Sequence, residues 1–219
     1  MKHDIASSFR LRRRWLSWMG WPILGLKVEV KGKPIEEPAV YVCNHRSFSD
    51  PVILCKYLDA FVIAKAEIAN YPVINKGAEV TGIIYVDRGN RDSRLATRET
   101  MAETLEKGLN VLVYPEGTVS DSQTIIPYKK GPFRVAASVG VPVVPVVLEY
   151  RDTKDLWVRL SLINQYFRQF SSWRTEAKMQ FGPAVRSENG DEMHAQVEAY
   201  TKKTMLEMQE GWSRAKFDS

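Results

Sequence analysis

Short runs of β-branched and other apolar residues alternate with amphipathic stretches along most of the chain. This alternation is typical of a sheet covered by helices on both faces, because neither face of its strands then meets water. It predicts an α/β fold, a single domain with a mostly buried central mixed sheet flanked by helices and preceded by an N-terminal amphipathic helix. The predicted strands are 26–30, 39–42, 61–64, 83–86, 111–114, 143–148 and 179–181, and the predicted helices are 51–58, 92–108, 133–139 and 191–212.

The basic charge of the chain is concentrated near its N-terminus. The 219 residues suffice for one domain with an ordinary core, and their formal net charge is +5. Residues 1–34 contain eight Lys or Arg and only two acidic residues, so the remainder is nearly neutral. A local basic patch indicates an anionic partner, either lipid headgroups or nucleic acid.

The N-terminal segment has the pattern of a helix that lies in the plane of lipid headgroups. At about 100° per residue, the apolar side chains share one half of the helical wheel and most of the basic side chains fall on the other, with Arg12 as a misfit. Pro22 and the limited apolar length disfavour a signal peptide or a spanning helix. Tryptophans interleaved with arginines favour lipid over nucleic acid. We therefore predict a membrane-associating helix at 1–25 and a folded domain at 26–219, and a helix that packs on the core stays the alternative. The apolar half contains Ile5, Phe9, Leu11, Trp15, Leu16, Trp18, Met19 and Ile23.

The two cysteines, Cys43 and Cys55, predict neither a disulfide scaffold nor a metal site. Both lie in apolar runs, which is typical of buried free thiols. The sequence also lacks a phosphate-binding glycine loop, so no nucleotide site is expected.

His45 and Asp50 are the first candidate site, in the segment that follows the second predicted strand. Histidine is the usual general base, and a carboxylate that holds one ring nitrogen protonated leaves the other free to take a proton. A loop that turns back over five residues would bring the Asp50 carboxylate to the ring. Asp50 before Pro51 is equally typical of a helix N-cap, so the pair is weak evidence by itself.

Three further segments lie at predicted strand ends. Asp87-Arg88 ends one strand and offers a guanidinium suited to phosphate or carboxylate. Glu116-Gly117-Thr118 follows another strand, and the glycine permits a tight turn or a close backbone approach. Residues 141–146 form an apolar strand with two prolines, which predicts incomplete pairing on its two sides.

Taken in order, these segments resemble the blocks of the glycerolipid acyltransferase family, in particular its 1-acylglycerol-3-phosphate acyltransferase group. The matching blocks are Asn44-His45-x4-Asp50, Asp87-Arg88, Tyr114-Pro115-Glu116-Gly117-Thr118 and Val141-Pro142-x-x-Pro145. The chain departs from the family at Val119, where the third block usually has arginine. Val119 cannot hold a phosphate as arginine would, so another lyso-lipid, such as a lyso-aminolipid, is an alternative acceptor.

The resemblance implies an acyltransferase that moves a fatty acyl group from acyl-CoA or acyl carrier protein to the hydroxyl of a monoacylated lipid. The first expected acceptor is 1-acylglycerol-3-phosphate, which would give phosphatidic acid at the cytoplasmic face of the cell membrane. His45 would be the general base and Asp50 would orient it, with no cofactor and no metal. A serine thioesterase or lipid hydrolase using Ser47 or Ser49, and a non-catalytic lipid-binding module, remain alternatives, and the oligomeric state is not predicted. The residues expected to bind substrate are Asn44, Arg88, Glu116, Gly117 and Thr118.

Overall fold

A computed structural model describes residues 5–20, 25–66, 82–87, 89–157, 164 and 174–212. Its centre is a sheet of seven strands in the order β1-β7-β6-β2-β5-β3-β4. The strands are β1 (Leu26–Lys31), β2 (Val40–Cys43), β3 (Ala60–Lys65), β4 (Ile83–Val86), β5 (Asn110–Val113), β6 (Val143–Tyr150) and β7 (Thr175–Phe181). The α-helices are α1 (Ile5–Trp15), α2 (Asp50–Tyr57), α3 (Arg91–Glu106), α4 (Gly131–Val139) and α5 (Gly190–Glu210).

The sheet is mixed, as predicted. Strands β2 to β6 run parallel to one another, whereas β7 is antiparallel to β6 and β1 is parallel to β7. The predicted strands and helices between residues 26 and 212 all occur, and the largest difference is that β7 begins at Thr175 rather than at Met179. Because the five parallel strands end at the same edge, the loops that follow β2, β5 and β6 meet there.

The two faces of the sheet are buried under different helices. Every residue of β2 and β6 is buried, which accounts for the unbroken apolar runs in the sequence. Val40 and Val42 point into the core shared with α3, α4 and α5, and Tyr41 and Cys43 point into the core that contains α2. This alternation is the period of two expected along a strand.

The incomplete pairing predicted for residues 141–146 occurs on one side of the strand. Val143–Val146 pair with β2, whereas the ladder with β7 begins only at Val146. Pro142 precedes the first strand residue, and its carbonyl oxygen accepts a hydrogen bond from the N–H of Val40. The carbonyl oxygen of Pro145 accepts from the N–H of Gly182, just beyond the end of β7. The missing N–H of Pro145 therefore faces the end of a ladder, where its loss interrupts little.

Helix α1 continues into a π-helical turn, Leu16–Gly20, and buries only part of the predicted apolar half. Phe9 and Leu16 pack against the protein, and Phe9 meets the ring of Phe61 edge-to-face with centroids 5.6 Å apart. Exposed apolar residues of the same helical segment form a second stripe. They are Leu11, Trp15 and Trp18, which we call the N-terminal apolar stripe. Among the described residues, no helix is both long enough and apolar enough to cross a membrane. Ile23 and the rest of 21–24 lie outside the described residues.

Arg12, the misfit on the helical wheel, is buried between α1 and the segment that joins α2 to β3. Its guanidinium donates hydrogen bonds to the carbonyl oxygens of Leu58 and Ala60, both at 3.1 Å, and lies 4.6 Å from the ring centroid of Phe9. The neighbouring Arg13 forms an ion pair with Asp59. A polar side chain on the buried stripe thus attaches α1 to the end of α2.

Candidate active site

His45 lies in the loop between β2 and α2, and Asp50 is the first residue of α2, at the edge where the parallel strands end. Nδ1 of His45 is 2.7 Å from Oδ2 of Asp50, so the loop does turn back as the sequence suggested. Asp50 is fully buried, while 19% of the His45 side chain is exposed. Because Asp50 takes Nδ1, the other ring nitrogen, Nε2, is left to receive a proton from a bound molecule.

Asp50 does not act as an N-cap, and that interpretation is wrong. It is the first residue of α2, the capping position is occupied by Ser49, and Ser49 makes no side-chain cap. The Asp50 carboxylate points back into the loop, where Oδ2 also accepts the backbone N–H groups of Arg46 at 2.7 Å and Ser47 at 2.9 Å. One oxygen thus fixes the loop and orients the imidazole.

The two serines of the loop are held inside it. Ser47 is fully buried, and its hydroxyl accepts the N–H of Ser49 and hydrogen-bonds with Tyr150. Ser49 is also buried. A serine nucleophile must reach a bound carbonyl and hydrogen-bond to its base, and His45 directs Nδ1 to Asp50 instead. The geometry therefore gives little support to the hydrolase alternative.

Glu116 joins the loop after β5 to the histidine loop. Its Oε1 accepts the backbone N–H of His45 at 3.0 Å and its Oε2 accepts the backbone N–H of Ile126 at 3.3 Å. The Glu116 side chain is buried, and this burial raises its pKa from 4.5 to about 7, although the two N–H donors lower it. The structure thus adds to the predicted substrate contact a second role for Glu116, which is to hold the backbone of His45.

Three other residues predicted to bind substrate, Asn44, Gly117 and Thr118, also lie in these loops. The amide of fully buried Asn44 accepts the N–H of Leu148 and donates to its carbonyl oxygen, both at 2.8 Å, so that it ties the end of β2 to β6. Gly117 has φ 78°, a conformation that glycine adopts readily, and Thr118 beside it is exposed. Substrate contact by these residues stays a prediction.

Arg88 lies outside the described residues, so its predicted role is not examined by the structure. Asp87, at the end of β4, accepts the N–H of Gly89 and donates its own N–H to the Ser93 hydroxyl at the start of α3. Strands β5 and β3 separate β4 from β2, which places the end of β4 about 14 Å from the histidine loop at the usual strand spacing.

Sequence analysis missed the buried ion pair beneath the histidine loop. Arg46 is 1% exposed, and its guanidinium contacts the Glu149 carboxylate at 3.1 Å and the carbonyl oxygens of Ser120 and Ser122 at 2.9 and 2.5 Å. The side-chain amide of Gln209 in α5 also donates to Glu149 Oε2, at 2.7 Å. A lone arginine in a polar loop gave no signal of burial, because its partners lie far along the chain. Since Arg46 is committed to Glu149, it is not available to bind phosphate.

The imidazole of His45 stacks on Tyr114, with ring centroids 4.3 Å apart and planes inclined by 27°. The Tyr114 hydroxyl is buried and has no hydrogen-bond partner among the described residues.

Cys43 is buried below the loop, where burial raises the pKa of its thiol well above the usual value. Such a thiol is a poor nucleophile. In the described part of the chain, no group of His, Cys, Asp and Glu side chains is arranged to hold a metal ion.

Comparison with known proteins identifies one matching family model and several similar proteins. The family model described as "Acyltransferase" matches residues 27–149. Lyso-ornithine lipid O-acyltransferase of Pseudomonas aeruginosa is 33% identical over 142 residues, which cover 65% of this chain and 54% of that protein. Putative 1-acyl-sn-glycerol-3-phosphate acyltransferase acl-2 of Caenorhabditis elegans is 34% identical over 142 residues, which cover 62% of this chain and 50% of that protein.

The fold also matches a solved structure, the 1-acyl-sn-glycerophosphate (LPA) acyltransferase PlsC from Thermotoga maritima. The match has a TM-score of 0.68 and 22% identity, and it covers 96% of this chain and 81% of that chain. At this identity the likeness supports the fold alone. The chain spans about half the length of the two curated relatives given above.

Proposed function

Since the chain belongs to the acyltransferase family, as the sequence blocks suggested, we propose that it transfers a fatty acyl group from a thioester to the hydroxyl of a monoacylated lipid. The observation that carries the proposal is the His45–Asp50 pair, in which Nδ1 is bound by a buried carboxylate and Nε2 remains for the acceptor. The names of relatives with lyso-lipid acceptors support the same substrate class.

The reaction needs only groups that this site provides. His45 Nε2 takes the proton of the acceptor hydroxyl as its oxygen attacks the thioester carbonyl, and Asp50 stabilises the imidazolium that forms. Collapse of the tetrahedral intermediate forms the ester and releases the thiolate, which recovers the proton from the imidazolium. The donor is acyl-CoA or acyl carrier protein, and no acyl-enzyme intermediate forms.

The developing oxyanion needs hydrogen-bond donors that are not already engaged. Asp50 occupies the N–H groups of Arg46 and Ser47. By contrast, the N–H groups of Phe48 and Thr118 have no acceptor among the described residues. We assign these two groups as the candidate oxyanion donors, one from each loop beside His45.

Replacement of the base tests the proposal. His45→Ala should reduce acyl transfer by about 10²–10⁴-fold, the usual contribution of a general base, while leaving the unfolding transition and vesicle binding close to those of the parent protein. A matched control is His194→Gln, since the His194 ring in α5 instead hydrogen-bonds to the carbonyl oxygen of Tyr128. Undiminished transfer by His45→Ala would exclude the assignment.

Two acceptors fit the family, and the charges near the site bear on the choice. The first candidate is 1-acylglycerol-3-phosphate, in line with the names of most of the relatives found. The second is a lyso-aminolipid, which is favoured by Val119 in place of arginine, by the commitment of Arg46 to Glu149, and by the Pseudomonas relative. A panel of monoacyl lipids with and without phosphate, each assayed with one acyl-CoA, distinguishes them. Turnover of lysophosphatidate alone supports the first, and turnover of lyso-aminolipids alone supports the second.

We further propose that the enzyme acts as a peripheral protein on a membrane surface, through the N-terminal apolar stripe. Trp15 is 56% exposed and Trp18 is 80% exposed. Exposed arginines flank them at Arg10 and Arg14, which suits anionic headgroups. Trp15→Ala/Trp18→Ala should weaken flotation with anionic vesicles at least tenfold. Leu95→Ala removes an equally exposed apolar side chain outside the stripe and should bind as before, so equal binding by all three proteins would refute the proposal.

A further inference from the structure

Tyr150, the last residue of β6, contacts the Asp50 carboxylate from the side opposite the histidine. Its Oη is 2.7 Å from Asp50 Oδ1, and its ring is fully buried. The two carboxylate oxygens therefore have separate partners. Oδ2 receives the His45 ring and two backbone N–H groups, and Oδ1 receives the tyrosine.

The tyrosine is the donor in this contact. Burial, together with the nearby Asp50 charge, raises the pKa of Tyr150 well above 10, so that its hydroxyl keeps its proton. The Ser47 hydroxyl also hydrogen-bonds with Tyr150. A chain of hydrogen bonds thus runs from Ser47 through Tyr150 and Asp50 to His45, and each link polarises the next.

We propose that Tyr150 is a positioning residue that sets the basicity of the His45–Asp50 pair. Its hydroxyl stabilises negative charge on Asp50, and a carboxylate that shares its charge with a second donor attracts the imidazolium proton less strongly. Loss of the hydroxyl therefore makes His45 easier to protonate, so that a larger part of the enzyme carries an imidazolium that cannot accept the proton of the acceptor. This role rests on the proposed function of His45.

Other titratable groups face the same pair, and the test must separate them from Tyr150. Glu116 is the most important because its pKa of about 7 lies in the range where a histidine titrates. The remaining charged or titratable groups around the loop are Cys43, Arg46, Tyr114, Glu149 and Asp155. None of them donates to Oδ1 of Asp50 among the hydrogen bonds of the described residues. A Tyr150→Phe change therefore removes the hydrogen bond to Asp50 Oδ1 and leaves these other groups in place.

The experiment compares the pH dependence of kcat/KM in the parent protein and in Tyr150→Phe. The acid limb should move to higher pH by about 0.5–1 unit, the effect of a hydrogen bond to a charged group transmitted in part to the histidine. Activity is then lost mainly at low pH and recovers as the pH rises. Tyr41→Phe is the matched control, since this tyrosine is equally buried but its hydroxyl accepts the N–H of Ile35, and its acid limb should stay unchanged.

Two further variants keep the outcome decisive. In an Asp50→Asn background, Tyr150→Phe should no longer shift the limb, because the charge it acts on is absent. Ser47→Ala weakens the chain one link further out and should shift the limb in the same direction by a smaller amount. A uniform loss of activity at all pH values with an unmoved limb would overturn the proposal. Absence of transfer by the parent protein, or full transfer by His45→Ala, would instead refute the proposed function itself.

Discussion

Replacing Glu116 with glutamine should flatten the pH dependence of stability between about pH 4.5 and 7. Burial raises the pKa of this carboxyl from 4.5 to about 7. Between these values the folded protein keeps a proton that the unfolded chain has released. Stability therefore falls as the pH rises through this window and levels off above the folded pKa.

The size of the effect follows from the two pKa values. A folded pKa near 7 and an unfolded pKa near 4.5 correspond to about 3 kcal/mol of unfolding free energy, lost progressively across the window. Glutamine cannot ionise and so removes this slope. It also turns an amide N–H₂ toward one of the two backbone donors, from His45 or Ile126, which lowers stability by about 1–3 kcal/mol at every pH.

The assay is urea unfolding of the parent protein and Glu116→Gln at several pH values from about 4 to 8. The expected result is a free-energy difference that shrinks, or reverses in favour of the variant, as the pH rises. Glu103→Gln serves as a control, because this glutamate is 65% exposed and forms only a surface pair with Lys107. A difference that stays constant across the range would show that folding does not raise the pKa of Glu116, and the burial argument would then be wrong.

Three other changes test the packing around the site and α1. Arg46→Met leaves the buried Glu149 carboxylate without its guanidinium and should cost about 3–5 kcal/mol in urea unfolding; the double variant with Glu149→Leu should recover part of this, and no recovery would argue against the pair. Tyr114→Phe removes a buried hydroxyl without a partner in the described residues and should stabilise the protein by about 1 kcal/mol, so a clear loss of stability would reveal a partner. Arg12→Met leaves two carbonyl oxygens without their donor and should cost about 3 kcal/mol, with faster proteolysis of α1, whereas unchanged proteolysis would contradict the attachment.

The parts of the site that were predicted could be recognised from short stretches of sequence. His45 and Asp50 belong to one loop, and the strand before it and the helix after it leave few ways to close five residues. Glu116 was found because its segment directly follows an apolar strand. Local pattern and turn chemistry are enough for such features.

The features that were missed depend on contacts between distant segments. Arg46 and Glu149 look like ordinary polar residues until β2 and β6 are placed side by side, and Tyr150 reaches Asp50 for the same reason. Arg12 appeared misplaced because its acceptors are backbone carbonyls beyond α2. The prolines of 141–146 predicted incomplete pairing, but they could not show on which side of the strand the gap would lie, because that depends on the neighbouring strands.

The position of β1 has a consequence for how the protein folds. β1 pairs only with β7 within the described sheet, and their register joins Leu26 to Thr175. Pairing such distant positions closes a long loop, which costs more conformational entropy than closing a short one. We therefore expect β1 and β7 to pair after the strands that are closer in sequence. During synthesis, β2 to β6 can assemble while β1 still lacks its strand partner, whereas α1 can already pack on the end of α2 and on β3. We therefore expect the amides of β1 to gain protection from hydrogen exchange last, after those of the five parallel strands.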